Sequence, residues 1–151
     1  MSDDYIVVVP RNPRCIPAPE VQRRVAEILG RLVPEAADVL VKESDEVRFF
    51  DCGENFERIA CPRCAGEINL EWWHERMDQD GVAGGFRLDT YALPCCGVSA
   101  TLNDLNYEWP QAFGRFRWEI RNPDIGDLTS ADRAALAAAA GVQLVFVRRR
   151  L

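Results

Sequence analysis

Two cysteine pairs near the middle of the chain constrain its fold more than any other feature. Cys61 and Cys64 belong to the run C-P-R-C, and Cys95 and Cys96 belong to the later run L-P-C-C-G. Four thiolates from two short turns can enclose a tetrahedral zinc ion. Gly97 lets the backbone bend away after the second pair without a Cβ clash. The sequence therefore predicts that one zinc ion joins two turns of this chain through Cys61, Cys64, Cys95 and Cys96.

The second pair is less regular than the first. Cys95 and Cys96 are adjacent, and adjacent side chains of a regular strand point to opposite faces. When the two turns are aligned, Leu93 stands where the first cysteine of a C-P-x-C turn belongs. We therefore expect Cys96 to be the better placed ligand, while Cys95 supplies the fourth position. The alternatives that the sequence leaves open for that position are His74, Cys52 and Cys15.

A site with four cysteine ligands is closed, and this bears on function. Catalytic zinc ordinarily takes three protein ligands and keeps one position free for water. His74 is the only histidine of the chain, so a histidine-rich hydrolytic site cannot be built. The C-x-x-C turn could also carry out thiol–disulfide exchange, which requires a cysteine of lowered pKa. Zinc binding is the favoured interpretation because it uses both cysteine pairs, and redox chemistry stays as an alternative.

Composition and charge narrow the class of protein. The chain has 151 residues, of which 18 are basic and 24 are acidic, so its net charge is −6. Negative charge disfavours binding to a phosphate backbone, and we expect no nucleic-acid partner. No run reaches the roughly 18 apolar residues that a membrane span needs, and the first residues lack the basic and apolar regions of a signal peptide. We therefore expect a cytoplasmic protein, whose reduced thiols favour metal binding over disulfides.

Hydrophobic periodicity predicts an α+β fold made from two β-α-β units. The predicted elements of the first unit are strand 5–9, a helix from about residue 19, and strands 39–41 and 47–50 joined by a polar turn at 43–46. Those of the second unit are strand 113–120, helix 131–140 and strand 142–147. Two such units favour a two-layer sandwich, with a ferredoxin-like order as one candidate. The arginines at 148–150 are predicted to form a solvated, frayed tail.

The cysteine turns lie in a central segment over about 51–106, which we interpret as a zinc-ribbon-like insertion within a single domain of residues 1–151. Its predicted elements are strand 58–60, a helix over 67–79, and strands 86–93 and 98–102. No low-complexity stretch or long linker separates this segment from the flanking units. We therefore expect the insertion to pack on the main sheet.

Several motifs outside the cysteine turns carry a resemblance. They are F-D-C-G-E-N-F-E at 50–57, W-W at 72–73, L-N-D-L at 102–105 and W-P-Q at 109–111. Together with C-P-x-C and P-C-C-G, they resemble a family of small bacterial proteins of actinobacterial type, over about residues 47–123. The resemblance implies a zinc-ribbon-like centre. It implies no established activity and no catalytic residues.

The leading functional expectation is a non-catalytic protein-binding or adaptor module with structural zinc. An acidic surface suits a basic protein partner, and a tryptophan exposed beside a rigid turn suits a binding hot spot. One alternative is a thiol redox protein. The other is an enzyme that uses carboxylates beside the insertion as acid–base groups. The candidates for that role are Asp51, Glu54, Glu57, Asp104 and Glu108.

Overall fold

An antiparallel sheet of four strands forms the frame of the protein in the computed structural model, which describes residues 3–151. Three α-helices and three small two-stranded sheets complete the architecture of these described residues. Along the chain the elements are β1 (Asp4–Pro10), α1 (Pro19–Leu32), β2 (Val39–Phe50), β3 (Arg58–Ala60), α2 (Leu70–Asp80), β4 (Gly81–Val82), β5 (Gly85–Phe86), β6 (Tyr91–Ala92), β7 (Ser99–Ala100), β8 (Asn106–Glu108), β9 (Ala112–Arg121), α3 (Ser130–Ala140) and β10 (Leu144–Arg150). The predicted α+β class is confirmed.

The strand order of the main sheet is β10-β1-β9-β2. β1 and β2 both pair antiparallel with β9, so they run parallel to each other with β9 between them. β9 and β10 in turn both pair antiparallel with β1. Each of α1 and α3 therefore joins two parallel strands that are separated by a third strand. Both helices pack in one apolar core with the same face of the sheet.

Local sequence signals explain why α1 and α3 form where they do. Val25 and Leu29 lie one turn apart on α1 and are completely buried, so this face holds the helix against the sheet. At the start of α3, Thr129 and Asp132 form a reciprocal capping box. Gly141 ends α3 with a φ of 71°, which a residue without Cβ adopts freely. The predicted start of α1 at about residue 19 and the predicted end of α3 at residue 140 are confirmed.

The predicted polar turn at 43–46 is wrong. β2 is one strand of 12 residues, and the irregularity in its pairing with β9 falls between Glu43 and Arg48. The carbonyl of Ser44 accepts a hydrogen bond from Arg115 Nε of β9 at 3.1 Å. This contact holds the polar run beside the neighbouring strand, so pairing resumes beyond it and no separate strand is needed.

The arginines at 148–150 are part of β10 and do not form a frayed tail. Arg150 pairs with Asp4 of β1, and Arg148 is the cross-strand partner of Ile6. The Arg148 guanidinium binds the Asp4 carboxylate and donates to the carbonyl of Ile125 at 2.8 Å. The prediction failed because these charges are satisfied by residues far away along the chain.

The central segment packs on the face of the sheet opposite α1 and α3, against Phe113 of β9. Its helix begins at Leu70, since Asn69 Oδ1 accepts from the Trp72 backbone N–H at 3.0 Å and caps the first turn. The predicted strand at 86–93 is divided between β5 and β6, and the strand predicted at 98–102 is limited to β7. A short 3₁₀ turn, Leu102–Asp104, follows β7.

Within residues 3–151, no helix has the length and apolar character to cross a bilayer.

Candidate metal centre

The sulfur atoms of Cys61, Cys64, Cys95 and Cys96 form one cluster, in which all four lie within 4.8 Å of one another. The Sγ atoms of Cys61 and Cys96 are 3.7 Å apart. A zinc ion with Zn–S bonds of about 2.3 Å in a regular tetrahedron places its sulfurs about 3.8 Å apart. The four cysteines are therefore spaced as ligands of a single tetrahedral metal ion.

The first two cysteines are positioned by a tight turn at 61–66. The Cys61 N–H donates to the carbonyl of Gly66 at 2.8 Å, and the Ala65 N–H donates to the carbonyl of Cys61 at 3.1 Å. Ala65 has a φ of 61°, a left-handed conformation that reverses the chain. Antiparallel pairing of Ala60 with Glu67 makes this turn the tip of a small hairpin.

Backbone N–H groups of this turn point at the sulfur atoms. The N–H groups of Arg63 and Cys64 both lie 3.4 Å from Cys61 Sγ, and the Gly66 N–H lies 3.3 Å from Cys64 Sγ. Such donors stabilise a thiolate. The N–H of Cys64, together with that of Arg63, lowers the pKa of Cys61 to about 6, although burial acts in the opposite direction.

The second turn has the same backbone arrangement as the first. The Leu93 N–H donates to the carbonyl of Val98 at 2.9 Å, and the Gly97 N–H donates to the carbonyl of Leu93 at 2.8 Å. Gly97 takes the left-handed position with a φ of 78°. The turn is the tip of the β6–β7 hairpin. Leu93 therefore corresponds to Cys61 and Cys96 corresponds to Cys64.

Cys95 enters the cluster from a position that carries no ligand in the first turn. It corresponds to Arg63, whereas the position of the missing cysteine is filled by Leu93, which is buried in the core of the insertion. The turn between Cys95 and Cys96 removes the strand alternation that separates neighbouring side chains. Desolvation is the main cause that raises the pKa of Cys95 to about 12, and the adjacent cysteines add to it. A cation at the centre would reverse this preference and hold all four sulfurs as thiolates.

The three alternative ligands lie outside this cluster. Cys52 is fully buried, and its N–H donates to Gln111 Oε1 at 3.1 Å. Burial raises the pKa of its thiol to about 11. His74 is exposed on α2, with its ring centre 5.0 Å from that of Trp73. Cys15 lies in the loop between β1 and α1. Geometry therefore groups Cys95, and not these residues, with the other three cysteines.

Burial within the cluster is uneven. Cys61 is buried and belongs to the core of the insertion, whereas the other three cysteines are exposed at its surface. The same core contains Leu93, the first residue of the second turn. An ion bound here would therefore join two hairpin tips at the surface and, through Cys61, connect them to the packed interior.

Four of the five carboxylates considered for acid–base chemistry contact another residue. The contacts pair Asp51 with Arg149, Glu57 with Trp109 Nε1, Asp104 with Thr101 and Glu108 with Arg58. Glu54, the fifth carboxylate, is exposed on a turn. Three of these contacts lie within one turn or between neighbouring strand ends, and the Asp51–Arg149 contact joins the segment after β2 to β10.

A buried carboxylate that sequence reasoning missed organises the approach to the second turn. Asp80 is completely buried at the end of α2 and accepts hydrogen bonds from the N–H groups of Leu88 and Asp89 at 2.7 and 2.9 Å. It also accepts from the Tyr91 hydroxyl at 2.8 Å. Desolvation, followed by this bond, raises the pKa of Tyr91 to about 12. The only sequence signal was an acidic residue at the end of a helix, which is ordinary on a protein surface.

Comparison of the chain with family models, with curated proteins and with solved structures finds no match. The resemblance to a family of small bacterial proteins therefore stays a prediction.

Proposed function

We propose that this protein is a non-catalytic protein-binding module whose central insertion is held by one structural zinc ion. The observation that carries the zinc part is the cluster of four cysteine sulfurs from two hairpin tips. An all-sulfur tetrahedral donor set suits zinc, or iron as the other candidate for such a set. With four protein ligands no coordination position remains for substrate or water, which is the pattern of structural rather than catalytic zinc.

The proposal extends to the architecture. The split β-α-β units and the strand order β10-β1-β9-β2 support a ferredoxin-like sandwich. Two cysteine-bearing hairpin tips joined by one ion support a zinc-ribbon-like insertion within a single domain of residues 1–151. A cytoplasmic location belongs to the same proposal, because the ligands must stay reduced to bind metal.

A protein partner is proposed because half-buried tryptophans lie on the insertion and beside it. Trp72 on α2 has the Arg76 guanidinium 5.4 Å from its ring centre. Trp109 follows β8 and donates from Nε1 to Glu57 at 3.3 Å. Aromatic and arginine side chains held in fixed positions at a surface are typical of binding hot spots.

Native mass spectrometry of purified, tag-free protein tests the zinc part. We expect one bound zinc ion per chain. Alkylation under native conditions should modify the half-exposed Cys15, and chelation should make Cys61, Cys64, Cys95 and Cys96 reactive as well. Cys15→Ser is the matched control that should retain the ion, while Cys96→Ser should lose it. Absence of metal, or an exchangeable fourth position, contradicts the structural-zinc proposal and favours redox or catalytic chemistry.

Reconstitution tests the binding part. Proteins retained from a cell extract by the immobilised zinc-loaded chain are identified, purified and mixed with it. We expect at least one complex with a micromolar or tighter dissociation constant. If every retained protein fails to bind when purified, the binding role is wrong, whatever the metal content.

A further inference from the structure

We propose that the open edge of β10 binds an extended peptide segment of a partner protein, which joins the main sheet as an additional strand. This inference rests on the proposed protein-binding function and names the surface that would carry it. The edge lies in the main sheet and contains none of the four clustered cysteines. Its failure can therefore be told apart from failure of the zinc proposal.

The backbone of β10 presents unused hydrogen-bonding groups at this edge. β10 is the last strand of the sheet and has β1 as its ladder partner. The Arg150 N–H points away from β1, since it donates to the carbonyl of Cys52 at 3.2 Å. Because outward and inward residues alternate in an antiparallel pair, Phe146 and Leu144 also direct their N–H and carbonyl groups outward. Within residues 3–151, those groups have no partner.

The protein itself already covers one end of this edge. The Glu54 N–H donates to the carbonyl of Arg150 at 2.7 Å, and Asn55 Nδ2 donates to the carbonyl of Arg148 at 3.0 Å. Gly53 forms a parallel bridge with Arg150. Extended chain therefore fits beside β10, and the cover stops before Phe146.

A cavity of about 160 Å³ opens where the cover stops. Phe146 and Leu128 belong to the helix side of the sheet, whereas Trp109 and Val147 belong to the opposite side, and all four line the cavity. Because residues from both faces of the sheet line this cavity, it lies at the outer edge of β10. An apolar cavity of about 150 Å³ is large enough to hold benzene. The site therefore suits one aliphatic or aromatic side chain of the incoming strand.

A second cavity, of about 190 Å³, adjoins the first, since Pro110 lines both. It reaches Val145 of β10, and the two cavities together form one groove. Gln111 lines it and is 7% exposed, yet Gln111 Nε2 has no hydrogen-bond partner among the described residues. A buried donor without an acceptor costs about 1–3 kcal/mol. Nε2 is shielded from solvent in this structure, so a carbonyl group of an extended peptide would supply the acceptor once the Gln111 side chain turns toward the cavity.

The other edge of the sheet is protected in the way that natural proteins protect edge strands. β2 has an irregular register next to a run of charged side chains, both of which discourage strand addition. The protecting side chains are Lys42, Glu43, Asp45, Glu46 and Arg48. The open part of β10, residues 144–147, is uncharged and regularly paired with β1. Of the two edges, β10 is the one suited to accept a strand.

Local charge specifies the peptide further. Arg133 lines the first cavity and Arg11 lines the second, and neither forms an ion pair within residues 3–151. Asp127 is the acidic residue of the groove. The net charge of −6 favours a basic partner, but at short range these arginines favour acidic residues beside the apolar one. The ligand class is thus an extended segment with an aliphatic or aromatic residue flanked by Asp or Glu.

The test uses a phage library of linear peptides of about ten residues, selected on the zinc-loaded full chain. We expect selected peptides of this class to bind with micromolar affinity and to slow hydrogen exchange at the N–H of Phe146. Arg133→Glu should weaken binding about tenfold. Arg23→Glu, which reverses the charge of an exposed arginine on α1, should leave binding unchanged. Phe146→Pro should abolish binding, because it removes an outward N–H that the sheet does not use.

Hydrogen exchange on the unaltered chain keeps the test valid if Phe146→Pro fails to fold. Peptides that leave exchange at Phe146 unchanged, or a selection that yields none, overturn the inference. Protection of Phe146 without peptide, together with a dimer in sedimentation, overturns it in favour of a second copy of this chain. A reconstituted partner is the last case. If it binds Arg133→Glu as well as it binds the unaltered chain, and leaves Phe146 unprotected, the edge site is overturned but the binding role stands.

Discussion

At the scale of single residues, the two turns of the site differ in which position carries the cysteine. Leu93 occupies the place that Cys61 has in the first turn, and Cys95 supplies the sulfur from two residues later. The backbone hydrogen bonds of the two turns are the same although their ligand positions differ. The turn geometry is therefore set by backbone and left-handed residues, and the ligand can be moved within it.

This equivalence predicts a rescue. Cys95→Ser should lower zinc affinity by about a hundredfold or more, because it leaves three sulfur ligands. Adding Leu93→Cys should recover most of that affinity, since the new thiol stands where Cys61 stands in the first turn. Competition with a zinc-binding dye measures both variants. Leu93→Ala combined with Cys95→Ser is the control for lost packing, and equal affinity of the two double variants would contradict the equivalence.

Asp80 gives a second prediction at this scale. Asp80→Asn keeps the shape but replaces an acceptor oxygen with an NH₂ group facing the donors Leu88, Asp89 and Tyr91. The free energy of unfolding should fall by about 1–3 kcal/mol, the cost of a buried group without its partner. Asp78→Asn, at an exposed position of α2, should change it little. Urea denaturation measures both, and equal effects would show that burial of Asp80 is not what matters.

These residues also show how far the sequence predicts the site. Spacing predicted that the four cysteines would lie together, because cysteines on tight turns leave a local pattern. Asp80 and Gln111 leave none, since their partners come from other segments and only packing makes them buried. Whether His74 is exposed or binds metal could not be predicted, because the sequence alone does not distinguish the two kinds of histidine.

At the scale of elements, caps and periodicity located α1 and α3 because those signals are local. β2 and β10 were misjudged because the polar middle of β2 and the polar end of β10 are stabilised by neighbouring strands. Arg115 supports the irregular part of β2, and Asp4 binds Arg148 at the end of β10. A single sequence shows that a run is polar, but it does not show which strand will lie beside it.

Two glycines test how closely the elements pack. A Cβ at Gly114 of β9 would lie 2.6 Å from Val9 Cγ1 of β1, whereas a Cβ at Gly30 of α1 would meet no atom within 4 Å. Gly114→Ala should therefore destabilise the fold by about 1–3 kcal/mol. Gly30→Ala should stabilise it by about 0.5–1 kcal/mol, because alanine loses less backbone entropy in a helix. Thermal unfolding measures both, and shifts of the same sign would contradict this packing.

At the scale of the whole molecule, the main sheet separates an apolar core on one face from two apolar clusters on the other. The core contains Trp118 with residues of α1 and α3, the larger cluster contains Trp73 with both cysteine turns, and the smaller contains Val7 and Cys52. Phe113 of β9 contributes to the larger cluster, so the insertion packs directly on the sheet. The insertion otherwise consists of short strands, a helix and loops, and elements of this length are marginal without a further constraint.

This division predicts the effect of metal removal. After zinc is chelated, the N–H groups of β3, α2, β6 and β7 should lose protection from hydrogen exchange, because the metal link between the two hairpin tips is then gone. β1, β9 and α1 should keep theirs, since the core around Trp118 contains no metal ligand. Exchange read by mass spectrometry distinguishes the two regions, and Cys96→Ser should reproduce the pattern without chelator. Equal loss in both regions would mean that the sheet also depends on the ion, and no loss in either would show that the ion is not structural.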